Sequence, residues 1–136
     1  MKWSDEFSTG VGHLDQQHRM LFQMVTDYRE ALDEARGERV YDDFLRSLDA
    51  YVRVHFGSEE ACMVSYACPA AEANAAAHAR FVATLTWFRE RHRAVGFNRD
   101  DARNLVDTLD RWLVDHICRL DVRLRPFAEG KPLQSK

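Results

Sequence analysis

The chain is poor in the features that define several other protein classes. Its three cysteines are an odd number with no Cys-x-x-Cys pair, which fits a reducing cytoplasm better than a disulfide framework. Its 19 basic and 22 acidic residues give a net charge of −3, so nothing suggests a nucleic-acid surface. No apolar run approaches the roughly 18 residues of a membrane span, and the start MKWSDEFSTG lacks the apolar core of a signal peptide. We therefore expect a cytoplasmic protein with no nucleic-acid or membrane partner.

Strand-like alternation is also missing, and apolar residues instead recur at spacings of three and four along four stretches. These predict helices from about residue 13 to a stop at Gly37, at about 41–64 and 70–94, and from an N-cap at Asn98 to Pro126 at the latest. Short connections between four helices favour an all-α, up-down-up-down four-helix bundle. We expect one domain over residues 1–136, with an N-terminal arm at 1–12, the bundle at about 13–125 and a loose polar tail at 129–136.

His55 and Glu59 lie four residues apart, so they share one face of the second predicted helix. That face continues backwards through Val52, Leu48 and Phe44, which are apolar. The helix therefore directs an imidazole and a carboxylate into the protein interior. Such a buried pair is costly unless it is hydrogen-bonded, ion-paired or bound to metal. An ordinary His–Glu hydrogen bond in the core would explain these two residues alone.

More polar residues interrupt the other apolar faces, all at helix ends that an antiparallel bundle brings to one level: His18, Asn74, His78, His116 and Asp121. Four imidazoles and two carboxylates there would be too crowded to satisfy without metal. Imidazole and carboxylate without thiolate suit iron, manganese or zinc. Six ligands exceed the need of one tetrahedral zinc, whereas two metals bridged by the two carboxylates would use all six. We expect His13 and His92 to be solvated.

The same residues lie in motifs that together span nearly the whole chain. In order they are Trp3 and Gly10, Leu14-Asp15-Gln16-Gln17-His18, Leu21-Phe22, His55-Phe56, Glu59-Glu60, Tyr66, Pro69, His78-Ala79-Arg80-Phe81, Trp112-Leu113, His116-Ile117 and Asp121. With its HxxxE and HxxxxD elements, the chain resembles a bacterial hemerythrin. Each motif is weak alone, and the combination is specific.

The resemblance implies a non-haem centre of two oxo- or hydroxo-bridged iron ions that binds O2 reversibly. By this resemblance His18 and His55 would hold the iron that takes O2, and His78 and His116 would hold the other. Glu59 would bridge both ions together with Asp121. The residues that match the family's apolar oxygen pocket are Leu21, Phe56, Trp112, Leu113 and Ile117.

The chain departs from the family pattern at Asn74, because the family usually has a histidine four residues before the one at His78. Neighbouring positions offer no substitute, since the nearby alanines have no donor atom and Glu72 points about 160° away at 100° per residue. Asn is shorter than His and a poorer ligand for iron. We therefore expect Asn74 to act through a water or to be no ligand, which would leave both metals similarly ligated.

The leading hypothesis is an O2 carrier, store or sensor module rather than an enzyme. The alternatives are a di-iron enzyme that reduces peroxide or NO, for which the position at Asn74 would be open, and a structural bundle with zinc or a single iron. Ferritin-like oxidases use Glu-x-x-His on paired helices, which the site helices lack. We expect a monomer or weak oligomer, and no feature of the sequence identifies a protein partner.

Overall fold

The computed structural model describes residues 3–128, and within that range all regular structure is helical. The predicted tail at 129–136 lies outside the described residues. Four long helices form the body of the molecule, and shorter helical pieces lie at both ends of this range. They are a 3-10 turn at Asp5–Phe7, α1 (Gly12–Asp33), α2 (Gly37–Ser65), α3 (Ala71–Val95), α4 (Arg99–Arg119), a second 3-10 turn at Asp121–Leu124, and α5 (Arg125–Ala128). The expected all-α four-helix bundle is confirmed.

The connection between α1 and α2 differs from the sequence expectation. Gly37 does not end the first helix, because α1 ends at Asp33 and Gly37 is the first residue of α2. Ala35 takes the left-handed conformation with φ 61°. Gly37 is needed for space instead, since a Cβ there would overlap the Leu32 side chain. Its carbonyl oxygen accepts a hydrogen bond of 2.9 Å from Tyr28 Oη.

The other connections follow local rules for helix ends. The Asn98 side chain accepts a hydrogen bond of 2.9 Å from the Asp101 backbone N–H, which confirms Asn98 as the N-cap of α4. Gly96, with φ 78°, ends α3 in a conformation that suits glycine. Pro126 does not interrupt a helix, because α4 already ends at Arg119 and Pro126 lies in the first turn of α5.

The bundle encloses one main apolar core and a smaller cluster near the junction of α2 and α3. Each long helix contributes buried apolar residues at spacings of three and four, such as Leu21 and Val25 on α1 and Leu105 and Leu109 on α4. At the end of the bundle where α1 ends and α2 begins, the Tyr28 and Phe44 rings stack with their centroids 4.4 Å apart. Among the described residues, no helix is long and apolar enough to cross a membrane.

The N-terminal arm is hydrogen-bonded to the short helical segment that follows α4. Arg125 donates from Nε to the carbonyl oxygen of Ser8 at 2.9 Å, and from Nη2 to the carbonyls of Glu6 and Asp5 at 3.1 and 3.3 Å. Asp15 in α1 accepts from the Thr9 backbone N–H at 2.8 Å. We call this arrangement the Arg125 clasp. It connects the arm to the short segment that carries Asp121.

Candidate metal centre

The six predicted histidines and carboxylates come together in the core at one end of the bundle. They come from all four long helices and from the 3-10 turn after α4, and every one is buried: His18, His55, Glu59, His78, His116 and Asp121. Asp121 was expected at the end of the fourth helix and instead begins the turn two residues beyond it. Of the two remaining histidines, His13 is exposed as expected, whereas His92 is half-buried, with its ring edge-on to Tyr41 at 4.9 Å.

Glu59 lies between two pairs of histidines. Its Oε2 atom is 3.0 Å from His18 Nε2 and 3.6 Å from His55 Nε2. Its Oε1 atom faces the opposite pair and is 3.0 Å from His78 Nε2. The carboxylate therefore presents one oxygen to each side of the centre.

Asp121 has the same relation to the two pairs. Its Oδ2 atom is 3.2 Å from His18 Nε2, and its Oδ1 atom is 3.1 Å from His116 Nε2. The His78 and His116 Nε2 atoms are themselves 3.2 Å apart. Two groups of potential ligands result, one formed by His18, His55 and Glu59 and the other by His78, His116, Glu59 and Asp121.

Several of these short distances do not have hydrogen-bond geometry. Among the described residues, His18 Nε2, Glu59 Oε2 and Asp121 Oδ1 are buried without a hydrogen-bond partner, although each has polar atoms nearby. Within each of the two groups the candidate ligand atoms lie within 4.8 Å of one another, close enough to share a metal ion. The imidazole and carboxylate donors suit iron, manganese or zinc, so the residues present fit a pair of metal ions.

The buried charges of the cluster show which unfavourable interactions a bound cation would offset. Burial disfavours the charged form of His18, but the carboxylates of Asp121 and Glu59 outweigh it and raise the pKa of His18 to about 10. For His55 burial dominates over the attraction of Glu59 and lowers the pKa to about 3. Burial and the negative charge of Glu59 raise the pKa of Asp121. The two buried carboxylates therefore repel each other when both are charged, and a bound cation would offset that repulsion.

Comparison with known proteins identifies the family. The model of the hemerythrin HHE cation binding domain matches residues 9–128. The chain belongs to the hemerythrin family. It is 33% identical over 127 residues to a bacteriohemerythrin of Methylococcus capsulatus, covering 89% of this chain and 91% of that protein. It is 26% identical to a bacteriohemerythrin of Pseudomonas aeruginosa, over 85% of this chain and 72% of that one. A bacteriohemerythrin of Clostridium acetobutylicum is 25% identical, over 88% and 94%.

Gln17 and Glu60 each contact a candidate ligand histidine, and the sequence did not predict a role for either residue. His55 Nδ1 is 2.7 Å from Gln17 Oε1, and His78 Nδ1 is 2.8 Å from Glu60 Oε2. Both partners are acceptors, so each Nδ1 carries the proton and each Nε2 presents its lone pair to the centre. The available signal was adjacency, because Gln17 precedes His18 and Glu60 follows Glu59.

Asn74 reaches the cluster through Glu59. Its side chain is fully buried, and Nδ2 donates to Glu59 Oε1 at 3.0 Å and to Met63 Sδ at 3.3 Å. Glu72, excluded as a substitute ligand by its direction, is exposed. The hemerythrin centre thus has a hydrogen-bond donor where the family usually has an imidazole.

Aromatic rings cover the histidines of α3 and α4. The Phe56 ring stacks on His78 at 3.8 Å, and the Trp112 ring stacks on His116 at 4.3 Å. Of the five residues that match the family's oxygen pocket, Trp112 is half-buried, and the other four are buried: Leu21, Phe56, Leu113 and Ile117. All five belong to the main apolar core or pack against it, and their role towards oxygen stays a prediction.

Proposed function

We propose that this hemerythrin-family protein is a non-haem di-iron protein that binds O2 reversibly, with a ligand set altered at Asn74. One observation carries the proposal: Glu59 and Asp121 each direct one oxygen atom to a histidine on either side of the centre. A single metal ion would use one side of each carboxylate. Two ions would use both sides.

In this proposal His18 and His55 hold one ion, and His78 and His116 hold the other. Two iron ions, when bound, supply the electrons for reversible binding of O2. The carboxylates of Glu59 and Asp121 would lie between the ions and would offset two of the four positive charges of a diferrous pair. Gln17 and Glu60 fix the histidine rings so that each Nε2 atom faces the centre.

The apolar residues around the centre limit the access of water. Leu21, Phe56, Leu113 and Ile117 are at most 5% exposed. Dioxygen is small and apolar, so a dry wall admits it while excluding the water that would displace a reduced oxygen species. This favours binding and release of O2 over its consumption.

A second candidate function is the reduction of peroxide or NO, and the observation that favours it is Asn74. Only two imidazoles face the His78 side, because Asn74 presents its amide nitrogen to Glu59 instead of a ligand atom. A metal with fewer protein ligands has more room for a substrate. The third candidate, a structural bundle with zinc or a single iron, leaves part of the ligand set unused.

The deciding experiment is metal analysis of the purified protein together with visible spectra under nitrogen, in air and after return to nitrogen. Two irons per chain and an absorption band that appears in air and disappears on deoxygenation support reversible O2 binding. Two irons that oxidise in a single turnover when no reductant is present, with catalytic loss of added peroxide or NO once an external reductant is supplied, favour the enzyme. Colourless protein that contains zinc, or one iron per chain, refutes the di-iron proposal.

A further inference from the structure

Asn74, expected to act through a water or to be no ligand, contacts two side chains at the centre. Its Nδ2 atom lies 3.0 Å from Glu59 Oε1 and 3.3 Å from Met63 Sδ. A carboxylate that holds metal is deprotonated and accepts only. The amide must therefore face Glu59 with its nitrogen, since its oxygen there would oppose a second acceptor.

In this orientation the Asn74 atom beside Glu59 is not a metal ligand. An amide nitrogen has no available lone pair, so the Nδ2 atom beside Glu59 cannot bind a cation. The amide oxygen, Oδ1, is buried without a hydrogen-bond partner among residues 3–128. The contribution of Asn74 to the centre is therefore a hydrogen-bond donor.

Asn74 donates its hydrogen bond to one of the two carboxylate oxygens of Glu59. Asn74 contacts Oε1, which faces His78 at 3.0 Å, whereas Oε2 faces His18 and His55. Fixing Oε1 restricts rotation of the carboxylate about its terminal bond, and it does so on the side where the family's additional imidazole is absent. The position between His78 and His116 then depends on a well-placed Oε1, because this oxygen lies next to His78 and no additional imidazole supports that side.

We propose that Asn74 is a positioning residue that holds Glu59 in its bridging orientation and so sets the metal affinity of the position between His78 and His116. The inference rests on the proposed function, since it requires two metal positions. Of the two expectations for Asn74, a water-mediated ligand or no ligand, it develops the second through a direct contact between two side chains. Partners of this kind, behind a metal ligand, typically change metal affinity 10- to 100-fold when they are removed.

The test uses Asn74→Leu, which keeps a side chain of similar shape and removes the donor. The flexible Met63 side chain can pack against the added methyl groups. Asn104→Leu, at an exposed position of α4, is the matched control. Each substitution is made in two backgrounds of the full chain: His55→Ala retains both histidines of the His78–His116 position, and His116→Ala retains both of the His18–His55 position.

Metal-free proteins are titrated with Zn²⁺ by calorimetry, and the parent chain is titrated in parallel. We expect Asn74→Leu to weaken zinc binding by tenfold or more in the His55→Ala background and by less than threefold in the His116→Ala background. Asn104→Leu should change neither value. Helix content and melting of the metal-free proteins provide a second measurement. If Asn74→Leu does not fold, Asn74→Ala takes its place in the same backgrounds.

The outcomes separate the inference from the function on which it rests. A parent that binds fewer than two zinc ions overturns the paired site, and the inference with it. A parent that binds two ions while Asn74→Leu keeps its affinity in the His55→Ala background overturns the inference alone. Equal losses in both backgrounds also overturn it, because a merely structural role of Asn74 would disturb both positions alike.

Discussion

Removing the Gln17 side chain tests whether the centre depends on residues that never touch the metal. Gln17 Oε1 accepts a hydrogen bond of 2.7 Å from the N–H at His55 Nδ1, which holds the ring with Nε2 towards Glu59. In Gln17→Ala the imidazole is free to rotate and to change tautomer, so part of its population no longer presents a lone pair to the metal. The fold itself should persist, because Gln17 is only half-buried and contributes one side-chain hydrogen bond.

The size of the effect follows from how such partners act on other metal-binding histidines. Their loss weakens metal binding by about 10- to 100-fold, which corresponds to about 1.4–2.7 kcal/mol. The loss should concern one of the two ions, since Gln17 supports only His55. The adjacent Gln16 provides the control, because it is exposed and its Oε1 only accepts from Arg19 Nη1 at 3.4 Å.

The assay is competition between each metal-free protein and a chelator of known affinity for Fe²⁺ without oxygen, followed by repetition with Zn²⁺. We expect Gln17→Ala to retain one tight ion and to lose the second at chelator concentrations that the parent tolerates. Gln16→Ala should behave as the parent. Equal affinities of Gln17→Ala and Gln16→Ala would refute the argument that the Nδ1 hydrogen bond orients His55.

Three further predictions concern single side chains. Glu59→Ala should lose both ions, because both sides of the centre share this carboxylate; a full complement of iron in the purified variant would contradict the bridge. Asn74→His supplies the imidazole that the family usually has, so its oxygenated form should decay more slowly than the parent's in stopped-flow spectra at equal pH and iron content; an unchanged rate would show that Asn74 does not control oxygen retention. Burial raises the pKa of Tyr41 from 10.0 to about 12, so its stabilising contribution is complete below about pH 10 and is lost as the pH rises towards 12. In urea titrations the parent should therefore lose about 1.4 kcal/mol more than Tyr41→Phe between pH 8 and pH 11; parallel losses would refute this.

The helices and the inward polar residues were accessible from the sequence because both depend on spacing along one helix. His55 and Glu59 share a face at any packing angle, and so do the apolar residues before them. The antiparallel order of four helices then brings His18, His78 and His116 to one end. These parts of the fold and of the candidate site follow from local periodicity together with a simple topology.

The parts that were missed depend on contacts between elements. Gln17 lies about 100° from His18 around α1, so only the rotation of α1 against α2 determines that it reaches His55. Gly37 was misassigned because Ala35 takes the left-handed position, and the need for a glycine arises from Leu32 in the preceding helix. Asp121 follows a helix end that the spacing of apolar residues did not reveal.

The Arg125 clasp also indicates that the chain could be circularly permuted. It holds Ser8 and Arg125, 117 positions apart along the chain, within 2.9 Å of each other, so the segments at residues 5–9 and 121–128 are already neighbours. A short peptide joining the two ends, with new termini opened in the loop between Val95 and Arg99, would give a circular permutant. The cut would fall at the end of the bundle opposite the metal ligands, and all four long helices would stay intact. Metal binding by this permutant would show that the order of helices along the chain is separable from the arrangement that builds the centre.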